Sequence, residues 1–133
     1  MTSPAFEFQQ LVFATLSGSA EVTDVVSGVF DGPPKGVAAP FVSLGASDEV
    51  PGDAQCITAS RHTLSVHVWS ERGGKQECKD LLFVVKKLFH GQRFSLSTHA
   101  ISNVQVGGQR VFRDPDGITL HGTIAVSAII EER

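Results

Sequence analysis

The sequence has little cysteine and no long apolar run. Its two cysteines, Cys56 and Cys78, do not form a CxxC pair, so the pattern favours free thiols over a disulfide. No apolar stretch approaches the ~20 residues that cross a bilayer, and the first residues lack the basic start and apolar core of a signal peptide. We therefore expect a soluble protein that contacts no membrane and stays in the cytoplasm unless it leaves inside a larger particle.

The sequence also lacks a surplus of positive charge. The chain has 11 lysines and arginines against 14 aspartates and glutamates, a formal net charge of -3. Tight binding to the phosphates of nucleic acids is therefore not expected. Hydrophobic residues make up 41% of the chain and charged residues 19%, an ordinary globular balance. This composition and the length of 133 residues predict one domain that spans residues 1–133.

Two segments have the three- and four-residue apolar spacing of amphipathic helices. In "TSPAFEFQQLVFATLSGS", Ser3 suits an N-cap and Gly18 suits a helix end, which predicts a helix over residues 4–16. The apolar stripe of this helix is predicted to contain Phe6, Gln9, Phe13 and Leu16. The second segment predicts a helix over residues 75–89.

Alternation of apolar and polar residues predicts strands. The segment "HTLSVHVWS" places His62, Leu64, Val66 and Val68 on one face and Thr63, Ser65, His67 and Trp69 on the other. Even-numbered residues from 118 to 130 are mostly apolar, which predicts a long strand with one buried face. Residues 40–47 predict another strand. Residues 48–58 have no periodicity, and they predict a mobile loop.

The stretch "RDPDGITLHG" has the residues of a β-hairpin turn. At each position, Asp114, Pro115, Asp116 and Gly117 match the residues of a type I turn that ends in a glycine with positive φ. A three-residue loop would place Asp114 opposite Ile118.

The same register predicts which residues of the hairpin face each other. It pairs Phe112 with Leu120, Val106 with Val126 and Val104 with Ala128, all of them apolar. It also places Arg110 on the apolar face opposite Gly122, beside the glycines at 107–108, where we expect a bulge or a bend. We therefore predict that the base of the hairpin packs on the helices and that its tip stands clear of the body.

The acids and histidines do not match a known catalytic or metal-binding spacing. Asp114 and Asp116 resemble the start of a calcium loop, but the twelfth position of that loop is alanine and not glutamate. His62 and His67 are five residues apart on one strand and point to opposite faces, and His121 can approach them only across the sheet. We predict no catalytic residue, no cofactor and no metal. A small metal-dependent hydrolase that uses these three histidines and the aspartates is the alternative from another class.

The order of these segments resembles a known family. An N-terminal helix, "VFDGPPKGVAAPFVSLG", the "HTLSVHVWS" strand, a second helix and "RVFRDPDGITLHGTIAVSAII" together resemble the tail-completion, or tail-terminator, proteins of long-tailed phages and gene transfer agents. The resemblance spans residues 6–130 and is most specific at "HVWS" and "RDPDG...HG". Residues and resemblance together predict an α+β subunit. Its sheet, antiparallel or mixed, has about four to five strands, with two main helices on one face and an extended C-terminal β-hairpin.

The resemblance also implies an assembly. Members of this family form rings, usually hexamers, that sit on the last ring of the tail tube, end polymerisation and present a surface for the head. The expected partners are further copies of the chain, the major tail tube protein and the head-tail connector or head-completion protein, with genomic DNA only passing through the lumen. The protein is then expected at the head-proximal end of a tail that assembles in the bacterial cytoplasm. A head-completion adaptor is the alternative from the same particle.

Aromatic and charged residues near the hairpin are the candidates for subunit or tube contacts, because Trp and Arg are enriched in interfaces. An aromatic ring that only covers the sheet is the alternative for Trp69. The predicted contact residues are Trp69, Arg72, Arg110, Arg113, Asp114, Asp116 and His121.

Overall fold

The computed structural model describes residues 2–133, and this part of the chain forms three helices and six strands. In chain order the elements are α1 (Pro4–Ser17), α2 (Ala20–Thr23), β1 (Val29–Phe30), β2 (Phe41–Pro51), β3 (Ala59–Ser70), α3 (Gln76–Phe89), β4 (Ala100–Ile101), β5 (Gln105–Arg113) and β6 (Leu120–Glu131). The predicted α+β class is confirmed. Within residues 2–133, no helix is long and apolar enough to cross a membrane.

The six strands form one mixed sheet in the order β1-β2-β3-β6, with β4 and β5 both paired to the far side of β6. Only β1 and β2 run parallel, and every other pair is antiparallel. The sheet has more strands than the four to five expected, because β1 and β4 are two-residue strands without a periodic signal.

The pairing of β3 with β6 runs without interruption from Ala59–Glu131 to Ser70–Leu120. One face of this pair is buried under the helices, and it includes Leu64, Val66, Val68, Ile124, Val126, Ala128 and Ile130. The predicted alternation of both strands is therefore confirmed. The opposite face, which we call the helix-free face, carries Thr63, Ser65, His67, Trp69, His121, Thr123, Ala125 and Ser127.

Helix α1 begins and ends within one residue of the prediction, but it buries a different stripe. The Ser3 hydroxyl accepts the N–H of Phe6 at the start of the helix, as an N-cap does. The buried apolar residues are Phe8, Val12 and Leu16, whereas Phe6 and Phe13 are exposed. Both stripes have helical spacing, so packing against the sheet decides between them.

Strand β2 is longer than predicted. It continues through Pro51, because residues 47–51 pair with β3 beyond a bulge between Leu44 and Ser47. The predicted loop over residues 48–58 is therefore wrong in its first part, and the connection to β3 is residues 52–58. Exposure on both faces of this half of β2 removes the alternating signal that would have marked it as a strand.

The register of the hairpin differs by one residue from the prediction over most of its length. Phe112 lies opposite His121 and not Leu120, although Val106 does pair with Val126. The difference begins at the turn, where the N–H of Asp114 donates to the carbonyl of Thr119 and the loop has four residues instead of three. A bulge between Val106 and Gln109 restores the predicted register at the base.

The side chain of Asp116 accounts for the longer loop. Its carboxylate accepts the N–H groups of Ile118 and Thr119, each at 2.8 Å, and the Thr119 hydroxyl at 2.6 Å. These bonds, the hydroxyl first, lower the pKa of Asp116. Within the turn, the N–H of Gly117 donates to the backbone carbonyl of Asp114, and Gly117 has a φ of 75°.

The predicted free-standing hairpin tip is also wrong. Strand β6 pairs with β3 as far as Leu120, so only the turn at residues 114–119 extends past the sheet. The one-residue shift moves Arg110 opposite Thr123, on the helix-free face, and brings Val111 opposite Gly122 on the covered face. An apolar residue thus takes the position that the prediction had given to an arginine.

Replacement of Gly122 by alanine is expected to destabilise the fold. A Cβ atom at this position would lie 2.6 Å from the Cys78 sulfur and 2.9 Å from the Leu82 Cδ1 atom of α3, so the helix would have to move. We expect a loss of roughly 1–3 kcal/mol in the free energy of unfolding, measured by urea denaturation. Gly108→Ala is the matched control, because no atom lies within 4 Å of its added Cβ. Equal stability of the two variants would contradict the close packing of α3 on β6.

Acid is expected to destabilise the protein through His62. This side chain is 1% exposed, and its Nε2 atom shares a 2.8 Å hydrogen bond with the Ser60 hydroxyl. Burial lowers its pKa below the usual 6.5, with Glu49 and Glu132 partly opposing the shift. The unfolded chain therefore binds a proton first as the pH falls, and stability declines below about pH 6.5 with a limiting slope of about 1.4 kcal/mol per pH unit.

Urea denaturation between pH 8 and pH 5 measures this dependence. His67 and His121 contribute with the same sign, because their pKa values are also lowered. His62→Gln should reduce the slope without abolishing it. An unchanged slope in that variant would show that His62 does not titrate differently in the folded and unfolded chains.

Candidate assembly surface

A row of aromatic side chains crosses the sheet from edge to edge. We call the row the aromatic row, and it consists of Phe30, Phe41, Trp69, His121 and Phe112 from β1, β2, β3, β6 and β5. Ring centroids of successive members are 6.1, 5.9, 3.8 and 4.7 Å apart. Three of the four contacts join residues directly opposite on paired strands, the arrangement in which cross-strand side chains interact most closely.

Trp69 and His121 form the centre of the row. Their rings are stacked at an interplanar angle of 15°, and the indole N–H of Trp69 donates to the Ser43 hydroxyl at 3.0 Å. The ring of His121 also shares a hydrogen bond with His67, and its other nitrogen lies 3.9 Å from the carboxylate of Asp114. The turn of the hairpin is thereby linked to the middle of the sheet.

The surroundings of the two histidines favour their neutral forms. Burial lowers the pKa of His67, and burial followed by the neighbouring His67 lowers that of His121, while Asp114 partly opposes the second shift. Neutral imidazoles can share a hydrogen bond, because one ring nitrogen donates and the other accepts. Gly45 makes room for this pair, since a Cβ atom there would collide with the ring of His67.

Some of the predicted contact residues share the helix-free face and others do not. Trp69, His121, Asp114 and Arg110 lie together on this face, and the Arg110 guanidinium is 5.1 Å from the centre of the Phe112 ring. Stacking of a cation on an aromatic face holds the arginine side chain at the edge strand.

The other predicted contact residues have different surroundings. Arg113 donates to the carbonyl of Gly73 at 3.2 Å, so it fastens the hairpin to the loop before α3. The Arg72 side chain, in the loop before α3, is 78% exposed and forms a 3.2 Å ion pair with Glu77 of α3. Asp116 uses both carboxylate oxygens within the turn. These three residues do not belong to the aromatic row.

Sequence reasoning missed three members of the aromatic row, Phe30, Phe41 and Phe112, and also the neighbouring His67. His67 had been recognised on the polar side of its strand, but its contact with His121 joins positions 54 residues apart. The predicted register places Phe112 on the covered face, and Phe41 has no signal beyond its place in a predicted strand. Alternation within β3 was the only sequence signal that could have pointed to this cluster.

Only two of the three histidines that a metal-dependent hydrolase would need, His67 and His121, are brought together. His62 is buried under α1 on the covered face, 6.4 Å from the ring of Phe8, whereas His67 and His121 lie on the helix-free face. Across residues 2–133, no three His, Cys, Asp or Glu side chains are grouped so that they could hold a metal ion.

Comparison with known proteins identifies related folds. A chain in the virion of a native gene transfer agent (GTA) particle has a TM-score of 0.73 at 22% identity, covering 94% of this chain and 91% of that chain. The gp17 protein of bacteriophage SPP1 has a TM-score of 0.65 at 21% identity, covering 93% of this chain and 88% of that chain. At these identities the two structures show a shared fold. No curated protein sequence matches the chain.

The sequence of this chain matches the model of a known protein family. The family described as Tail completion protein gp17 matches residues 10–131, which is nearly the whole chain. The resemblance drawn from the "HVWS" and "RDPDG...HG" segments is thereby confirmed. This protein therefore belongs to the tail completion protein gp17 family.

Proposed function

We propose that this protein forms a ring on the end of a tail tube, where it ends tail polymerisation and joins the tail to the head. The observation that carries this proposal is membership of the tail completion family over residues 10–131. The fold shared with a chain in a gene transfer agent particle supports it. The partners are then other copies of the chain, the major tail tube protein and the head-tail connector or head-completion protein.

The charge of the subunit suits a channel for DNA. A net charge of -3 gives no general attraction for phosphates, and phosphate contacts would slow a duplex that has to slide through the lumen. The ring would lie at the head-proximal end of a tail that assembles in the bacterial cytoplasm. Genomic DNA would only pass through its lumen.

The two ends of the sheet are the natural contact surfaces of such a ring. The turn at residues 114–119 lies at one end, and the connection at residues 52–58 lies at the other. If the ring axis runs roughly along the strands, these ends form its two faces. Each presents an exposed isoleucine: Ile118, 62% exposed, in the turn and Ile57, 41% exposed, in the connection. We assign the turn end to the tail tube and the opposite end to the head connector.

Deletion of the gene from its phage or gene transfer agent is expected to release control of tail length. Electron microscopy should show tails of variable and excessive length, because nothing then stops polymerisation of the tube. The wild-type gene supplied in trans is the control. Normal tails beside empty or leaking heads would instead support the head-completion adaptor.

Substitution of Ile118 is expected to weaken binding to tail tube ends. Loss of an apolar contact of about 1.4 kcal/mol corresponds to about tenfold in affinity, which sedimentation of purified Ile118→Ser with tubes would measure. Ile57→Ser is the matched control, since it removes the same side chain from the opposite end of the sheet. A defect in the control and not in Ile118→Ser would assign the tube to the other end.

A further inference from the structure

Two strands of the sheet have uncovered edges on opposite sides of the molecule. Strand β1 pairs only with Val42 and Ser43, so among residues 2–133 the rest of β2 has a neighbour on the β3 side alone. Strand β5 pairs with β6 and, within the same residues, with no other strand; at the base of its edge the N–H of Val106 donates to His90 Nδ1. An uncovered edge presents unpaired N–H and C=O groups that can hydrogen-bond to a strand of another chain.

The two edges carry opposite charge. Beside β5 lies a groove of about 420 Å³ lined by Lys75, Lys79, Gln109, Arg110 and Val111, which include three cations. Along β2 the exposed residues include Asp48 and Glu49, and the Glu49 side chain is 53% exposed. A basic edge at one end of the strand order and an acidic edge at the other are complementary.

The strand directions are also compatible. Strand β2 is antiparallel to β3, β3 to β6, and β6 to β5, so β5 and β2 run in opposite directions. A second copy placed beside the first in the same orientation, as in a ring, therefore brings its β2 antiparallel to β5. No inversion of the copy is needed to continue the sheet.

We propose that the ring closes by edge-to-edge pairing, in which β5 of each copy adds to β2 of the next copy. This inference rests on the proposed ring. The register that sets Arg110 opposite Asp48 also sets Gln109 opposite Glu49 and Val111 opposite Ser47. In each pair both residues share a face. Arg110 and Asp48 are on the helix-free face, whereas Gln109 and Glu49 are on the covered face, the side on which Lys75 and Lys79 line the groove.

The stagger that this register needs is typical of a closed sheet. Within one copy, Arg110 of β5 pairs with Thr123 of β6, and Thr123 pairs with His67 of β3. Asp48 of β2 pairs with Thr63 of β3, four residues away from His67. The next copy is thus displaced by four residues over four strands, or one residue per strand. One residue is ~3.3 Å along the strand, and neighbouring strands are ~4.8 Å apart. This displacement tilts the strands by about 35° from the axis of the closed sheet, at the lower end of the range of β-barrels.

The charges also select this pairing over a two-fold dimer. Pairing of β5 with β5 would bring Arg110 and the lysine groove against their own copies, and pairing of β2 with β2 would bring acids against acids. Only the pairing of unlike edges is attractive, and a contact between unlike edges generates a ring where the rotation between copies closes, rather than a two-fold dimer. The carboxylates, the bulges and Pro51 also hinder unspecific strand addition.

Charge reversal tests the pairing. Arg110→Glu and Asp48→Lys should each raise the concentration at which half of the protein is assembled by about tenfold or more, measured by light scattering. The double variant should assemble like the wild type, because the attraction is restored with the charges exchanged. An equimolar mixture of the two single variants should also assemble, and native mass spectrometry should find rings with equal numbers of each. Arg93→Glu, the same charge change in the loop after α3, is the matched control.

The outcomes separate this inference from the proposed function. If the wild type forms rings and the single variants assemble equally well, or if the double variant is not rescued, the edge pairing is wrong and the ring stands. If the wild type never assembles, alone or on tube ends, both are wrong.

Cross-linking keeps the inference testable if a charge variant fails to fold. Asp48→Cys with Arg110→Cys, in a Cys56→Ser background, should give a ladder of disulfide-linked oligomers on oxidation, because paired strands bring such residues within disulfide distance. Asp48→Cys with Arg93→Cys is the control and should give none. Assembled rings without a ladder would overturn the pairing.

Discussion

The antiparallel pairing of β3 with β6 positions every other part of the molecule. Its unbroken run from Ala59 to Ser70 fixes which residues of the two strands face the helices and which face away. The covered side receives α3, whose close approach depends on Gly122. The other side holds Trp69 against His121 and, through Asp114, ties the turn to the sheet. A shift of one residue in this pair would exchange the two faces.

In the proposed ring, each surface of the protein has a different role. The covered face supplies stability, since the apolar core is enclosed between the sheet and the helices. The edges carry complementary charge and unpaired backbone groups, and they are suited to contacts between copies. The ends, with Ile57 and Ile118 exposed, are suited to contacts with other proteins. None of these surfaces requires a catalytic group, which agrees with the structural character of the tail completion family.

A small change in the hairpin has a large effect on these surfaces. The hydrogen bonds of Asp116 lengthen the loop by one residue, and this shift turns Arg110 and Phe112 to the helix-free face. Arg110 then stacks on Phe112 at the edge of the sheet, where it can meet an acidic strand. In the proposed ring, the acidic turn that resembles the start of a calcium loop contributes through geometry, because it sets the register of an edge strand.

The sequence by itself determined the two long helices, the alternation of β3 and β6, the turn at Asp114–Gly117 and the family, because these depend on local spacing and turn chemistry. The tertiary structure alone decided which stripe of α1 is buried, how far β2 extends and which residues Phe112 and His67 contact. Those features depend on pairing between segments far apart in the chain, where two choices with the same local pattern differ only in their packing and hydrogen bonds. The charge on the two sheet edges was present in the sequence, but only the strand order placed it on opposite sides.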